Sequence, residues 1–269
     1  MAVAYAQHGL IGVLTPQANT TVEPEFAILL PQGVASIAAR MVSGAPDLEA
    51  RLVAYAEQLA AWVTQFADAP LDVVAFACTG ASYLIGAERE HALVASVAAR
   101  CGVPVVTSGM AVLAALGVLR ARRVAFVSPY PRALTQRSLA YWASAGIAAS
   151  RVVEVSAAQP GGGHPIYALA AADVHDALAS LAAEDCDAVV MLGTGMPTLE
   201  AIRRMPRVGR APIFSCNLAT AWRAVLEIDR ATPSAASLMA WLEQPEWAGR
   251  LRDDCDQTPR TPPATGHNR

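Results

Sequence analysis

Three segments from the first half of this chain recur, in the same order, in the second half, and this internal repeat restricts the fold more than any other feature of the sequence. Asp72-Val-Val-Ala-Phe-Ala-Cys78-Thr79-Gly80 has a counterpart in Asp187-Ala-Val-Val-Met-Leu-Gly193-Thr194-Gly195. Upstream, Leu14-Thr15-Pro16 is echoed by Val127-Ser128-Pro129. Downstream, Val103-Pro104-Val105-Val106-Thr107-Ser108 is echoed by Ala211-Pro212-Ile213-Phe214-Ser215. The spacings from Cys78 to Gly193, Pro16 to Pro129 and Pro104 to Pro212 are nearly equal. One such match arises easily by chance, whereas three in register point to duplication of a strand-loop-helix unit.

Around the repeat, short β-rich runs alternate with longer alanine-rich stretches of helical period, the pattern of βαβ units and a parallel sheet. Strands are expected at 10–14, 36–41, 73–77, 103–107, 124–127, 149–155, 188–192 and 212–215, and helices at 48–66, 88–99, 110–116, 133–145, 170–183 and 198–205. The expected fold is therefore α/β, with two pseudo-symmetric Rossmann-like halves, each a doubly wound parallel sheet. The first half takes residues 1–108 plus about 218–252, the second 109–217, and the polar, proline-rich stretch 253–269 reads as a frayed tail. Ligands of such sheets bind beyond the carboxyl ends of the strands. That rule gathers residues 15–19, 78–80, 128–130 and 193–195 around one cleft between the halves.

Composition removes several classes of chemistry. All 20 basic residues are arginine, which excludes a Schiff-base lysine and a P-loop lysine. Five widely spaced cysteines with no CxxC spacing suit a reducing compartment, not a disulfide framework. The five histidines form no HxxxH pair and no cluster with cysteine, so no metal site is expected. No apolar run reaches the roughly 18 to 20 residues of a membrane span, and the opening residues lack a basic start and a cleavage site. The expected location is the cytoplasm. A formal charge of −3 without a dense basic stretch gives no footprint for nucleic acid. Small molecules are the expected partners, and homo-oligomerisation is left open.

Cys78 ends an apolar strand and precedes Thr-Gly-Ala-Ser, a turn that opens a helix. Backbone N–H groups at such a start lower a thiol's pKa and bind carboxylates. The competing reading is a small buried hydrophobe. Cys101, Cys186 and Cys255 read as structural or tail residues, while Cys216, just after a strand, is a weaker candidate for the rim of the cleft. The stretch Thr15-Pro16-Gln-Ala-Asn19-Thr20-Thr21-Val-Glu23 offers more donors than one helix cap requires, and so suggests a clamp for an anion. Tyr130 lies at the equivalent turn of the second half, either as a hydrogen-bond donor to a carboxylate or as a packing residue. Arg40 at a strand end is read either as a partner for a second carboxylate or as a solvated cation. The loop Gln159-Pro-Gly-Gly-Gly-His164-Pro165-Ile-Tyr167 lacks the order of a dinucleotide site and reads as a flexible lid.

These motifs resemble the aspartate/glutamate racemase superfamily, in its maleate cis-trans isomerase and arylmalonate decarboxylase branch. The resemblance rests on Pro16-Gln-Ala-Asn19-Thr-Thr-Val-Glu23, Phe76-Ala-Cys78-Thr79-Gly80-Ala-Ser82, Ser128-Pro-Tyr130 and Gly193-Thr-Gly-Met196-Pro197-Thr198-Leu199. It implies a pseudo-symmetric fold that needs no metal or organic cofactor and acts on small carboxylic acids. Cys78 and Tyr130 take the catalytic positions. Pro16, Asn19, Arg40, Thr79, Gly80, Gly193, Thr194 and Gly195 are the expected substrate-binding residues.

One departure bears on the chemistry. Racemases and maleate isomerases of this superfamily carry a second cysteine in the second half, where this chain has Gly193. Two-base racemisation is then disfavoured, while a single thiol still permits addition, rotation and elimination. It also permits decarboxylation with the thiol as proton donor, the mirror of arylmalonate decarboxylases, which have glycine in the first half and cysteine in the second. The leading expectation is a maleate isomerase-like enzyme for a small dicarboxylate. The alternatives are a substituted-malonate decarboxylase and a non-catalytic carboxylate binder.

Overall fold

The computed structural model describes residues 3–157, 165–243 and 246–255. In chain order the elements are β1 (Gly9–Pro16), α1 (Val22–Leu29), β2 (Val34–Met41), α2 (Leu48–Glu57), α3 (Leu59–Val63), β3 (Val73–Phe76), α4 (Thr79–Ile85), α5 (Ala87–Cys101), β4 (Val105–Thr107) and α6 (Ser108–Leu119). They continue as β5 (Arg123–Ser128), α7 (Arg132–Ser144), β6 (Ala148–Glu154), α8 (Ala171–Ala179), β7 (Ala188–Met191), α9 (Leu199–Arg204), β8 (Arg207–Val208), β9 (Ala211–Ser215), α10 (Cys216–Ile228), α11 (Ala235–Glu243) and α12 (Trp247–Cys255).

Two sheets form, in the orders β2-β1-β3-β4 and β6-β5-β7-β9-β8. Leaving out β8, the second order repeats the first strand for strand, which is the duplication read from the sequence. The repeated aspartate does the same work each time. Asp72 accepts the Leu10 N–H at 2.8 Å and its own N–H bonds the Leu10 carbonyl, while Asp187 accepts the Arg122 and Arg123 N–H groups at 2.7 and 2.8 Å. Each side chain ties the beginning of the adjacent central strand. The helix caps repeat too: Thr107 Oγ1 accepts the Met110 N–H and Ser215 Oγ the Leu218 N–H.

All pairings are parallel except β8–β9, an antiparallel addition at the edge of the second sheet that the alternation of elements did not announce. Val73, Val74 and Ala75 of β3, and Val124 through Val127 of β5, are wholly buried, as strands covered on both faces must be. The expected helix over 48–66 is broken. Its backbone leaves helical geometry at Gln58 (φ −97°, ψ 14°), splitting it into α2, α3 and a 3-10 turn, with no Gly or Pro to signal the break.

Helices α1 and α4 are the two expected to open after the 15–23 segment and the Cys78 turn, while α10, α11 and α12 lie outside the expected helix ranges. α10 is buried along nearly its whole length, with Arg223, Glu227 and Ile228 partly exposed. It packs on β3, β4, α1 and α6. α12 continues to Cys255, past the expected beginning of the tail at 253; the rest of that tail lies outside the described residues. Among the described residues, no helix is long and apolar enough to cross a membrane.

Candidate active site

The carboxyl ends of β1, β3 and β7 open on a small cavity of about 90 Å³. Pro16, Asn19, Cys78, Thr79, Gly80, Tyr130, Thr194 and Gly195 line it, so the cavity draws on both halves of the repeat.

Cys78 follows β3 and is the N-cap residue of α4, with an extended backbone (φ −151°). Its sulfur accepts a hydrogen bond from the Ala81 N–H, the arrangement expected to lower its pKa. Burial outweighs that bond and pushes the thiol up to about 12. The expectation of an anionic resting sulfur is therefore corrected: only 3% of Cys78 is exposed, and desolvation keeps it a neutral thiol.

The surrounding polar groups are neutral and tied to one another. Thr79 Oγ1 and the Tyr130 hydroxyl are 3.0 Å apart. Burial raises Tyr130 well above the ordinary phenol range, so it is a standing O–H donor. Thr194 Oγ1 donates to the Ala77 carbonyl at 3.0 Å and accepts from Asn19 Nδ2 at 3.3 Å. Asn19 Oδ1 accepts the Thr21 and Val22 N–H groups at the start of α1, so the capping reading is correct for its oxygen while its nitrogen reaches across to the second half.

Glu25 of α1 holds the same loops from behind. Its Oε1 accepts from the Thr198 N–H at 2.6 Å, the Thr198 hydroxyl at 2.9 Å and the Leu199 N–H at 3.3 Å; its Oε2 accepts from Asn217 Nδ2 at 2.7 Å. Asn217 in turn donates to the Thr194 carbonyl. Burial raises the pKa of Glu25 against the pull of these donors.

Two expected binding residues do not line the cavity. Arg40 pairs with Glu23 and donates to the Asn19 carbonyl at 2.5 Å, so it braces the 16–19 loop from outside. Gly193 has a φ of +83°, and a Cβ there would come within 2.8 Å of Pro129 Cγ and 3.3 Å of Tyr130 Cζ. Thr15, Ser128 and Pro129, expected around the cleft, are likewise absent from its lining. Cys216 does not reach the rim either: it is fully buried behind Gly193, whose N–H bonds its sulfur, and burial raises it to about 12. His164 and the glycines before it lie outside the described residues, but Ile166 and Tyr167, which follow, line the cavity.

The sequence reading missed a whole wall. Leu48, Arg51, Leu52 and Tyr55 of α2 face the cavity, joined by Leu134 of α7. Their spacing of three, four and seven residues was the available signal, but that stripe is also what an ordinary core-facing helix shows.

The arylmalonate decarboxylase family model matches residues 11–239, spanning both halves of the repeat and every residue that lines the cavity. This chain belongs to the arylmalonate decarboxylase family. Within it, the chain is 29% identical over 245 residues to a maleate isomerase of Nocardia farcinica, covering 85% of this chain and 94% of that protein. Among solved structures, a cysteine-to-serine mutant of the Nocardia farcinica maleate cis-trans isomerase with a covalently bound succinylcysteine intermediate superposes with a TM-score of 0.71 at 25% identity, covering 86% of this chain and 98% of that one. A crystal structure of arylmalonate decarboxylase gives a TM-score of 0.68 at 25% identity, covering 81% and 92%. The α/β fold with paired parallel sheets is thus shared with a maleate isomerase and with an arylmalonate decarboxylase.

Proposed function

We propose that this arylmalonate decarboxylase family member is a maleate cis-trans isomerase-like enzyme that acts on a small dicarboxylate through Cys78, without a cofactor. The observation that carries this reading is Cys78 itself, among the described residues the only cysteine lining a cavity to which both halves contribute. The succinylcysteine held by the Nocardia farcinica relative supports a covalent route.

With a neutral resting thiol, the first step is a net addition of S–H across the double bond. A bond forms from Sγ to one alkene carbon, the π bond breaks, and the thiol proton ends on the adjacent carbon. The resulting single bond rotates, and the reverse elimination returns the thiol and releases the trans acid. Negative charge passes through the neighbouring carboxylate during addition, and the Tyr130 hydroxyl, held by Thr79, is a donor suited to it. The setting this reading implies is the cytoplasm, with a free small acid as partner and no nucleic acid or membrane. Incubation of the purified protein with maleate, followed by NMR for fumarate, tests it; absence of fumarate after prolonged incubation would count against it.

A second reading is favoured by the raised thiol pKa together with the single cavity cysteine. A protonated thiol is a poor resting nucleophile but a competent proton donor. In a substituted malonate the bond to one carboxylate breaks, carbon dioxide leaves with the electron pair retained as an enediolate, and Cys78 delivers its proton to that carbon. Release of carbon dioxide in heavy water, with deuterium incorporated at the α-carbon, separates this reading from the first.

A further inference from the structure

A dicarboxylate carries two negative charges into a cavity walled on one side by Leu48, Leu52, Leu134 and Ile166. Apolar walls offer no compensation for a carboxylate drawn out of water. The groups beside Cys78 are all neutral: Asn19, Thr79, Tyr130 and Thr194. They suit one carboxylate, the one adjoining the reacting carbons.

Arg51 is the single charged residue among the described residues that line the cavity. Its Nε donates to the Asp47 carbonyl at 3.3 Å, which anchors its stem to the start of α2. No carboxylate among the described residues pairs with it, in contrast to Arg40, which is bound to Glu23 and the Asn19 carbonyl. Like Cys78, Arg51 lines the cavity and acts electrostatically on Tyr55 and Tyr167; Cys78 acts also on Tyr130, and Arg40 on Tyr167. Arg51 and the sulfur therefore flank a common space. A guanidinium is also the side chain best shaped to grip a carboxylate with two parallel hydrogen bonds.

We infer that Arg51 is a specificity-determining residue that anchors the substrate's second carboxylate, and that it makes the site selective for dicarboxylates over monocarboxylates. The inference rests on the proposed reading of this cavity as a carboxylic-acid site, but not on which reaction follows. The reacting carbons then span the gap between the neutral donors and the guanidinium.

The test is protection of Cys78 from iodoacetamide at pH 9, read on the Cys78 peptide by mass spectrometry, with succinate and butyrate as probes. In the native protein, succinate is expected to protect at a concentration at least about tenfold lower than butyrate, the scale of one charge-assisted contact. In Arg51→Met that ratio is expected to fall to near one, and in Arg51→Lys to be partly retained, with the unfolding midpoint unchanged in both. Equal protection by the two acids in the native protein overturns the inference, as does an unchanged ratio in folded Arg51→Met. Maleate turnover on the same samples separates the two claims. Arg51-dependent protection without turnover removes the isomerase reading and keeps the anchor. Turnover with KM unchanged in Arg51→Met removes the anchor and keeps the isomerase.

Discussion

The two duplicated strand ends, Cys78–Gly80 and Gly193–Gly195, started from one design and now differ in what their backbones allow. Cys78 has an ordinary extended conformation (φ −151°) and carries its sulfur into the cavity. Gly193 has φ +83°, a region that favours glycine, with Pro129 and Tyr130 closed over the space a side chain would occupy. The second half still holds a thiol, Cys216, but behind Gly193 and sealed from the cavity. At the second strand end, backbone and neighbours thus leave no room for a side chain, and the site is one-sided.

The largest expected effect is on the working side. Cys78→Ser should lower turnover of maleate, or of a substituted malonate, by at least about 10²- to 10⁴-fold, the range for removing a group that transfers a proton in the reaction. Retained turnover would show that the asymmetry between the halves has nothing to do with chemistry. Next, Tyr130→Phe should cost about 10²-fold in kcat, as removal of one donor to developing charge does. A rise in KM alone would assign the hydroxyl to ground-state binding instead.

The attempt to undo the asymmetry should fail. Gly193→Cys should destabilise the protein by about 1–3 kcal/mol, from an L residue at positive φ and overlap with Pro129, and should not create exchange of an α-proton with heavy water. A variant with native melting temperature and new exchange would break the comparison. The smallest effect is on pH dependence. Cys78 and Cys216 both stand at about 12, against 9.0 for an unperturbed thiol. An unfolded chain sheds these protons above 9 while the folded one keeps them, so stability should fall between pH 9 and 12, by about 1.4 kcal/mol per unit for each thiol, and be indifferent to them below 9. Urea unfolding of Cys216→Ala across that window should show a visibly shallower decline than the native protein; an identical slope would mean that the second thiol is less enclosed than its geometry indicates.

Much of this was legible in the sequence because duplication writes itself twice. Asp72 and Asp187, Thr107 and Ser215, and the three echoed strand ends each had a partner against which to be read, and together they announced two matching parallel sheets and the neighbourhood of Cys78. The wall formed by α2 had no such echo. Leu48, Arg51, Leu52 and Tyr55 are a helix stripe whose target, cavity or core, depends on packing that no local pattern encodes. Arg40 stayed open between a carboxylate partner and a solvated cation for a related reason. A strand-end arginine is offered a carboxylate by the fold itself, in Glu23, and sequence spacing does not reveal which negative group it meets first. The thiol pKa was misjudged because one hydrogen bond from Ala81 is a local feature, whereas desolvation is set by the whole molecule.

The carboxyl group of Glu25 has a consequence for how the cavity is held. It is rooted in α1, yet the four hydrogen bonds it accepts come from Thr198, Leu199 and Asn217, so it rivets the loops of the second sheet to a helix of the first. A swing that parted α1 from the 198–199 turn would strip this buried group of three of those bonds. The back of the cavity is therefore fastened across the two sheets by a carboxyl group that does not itself line it.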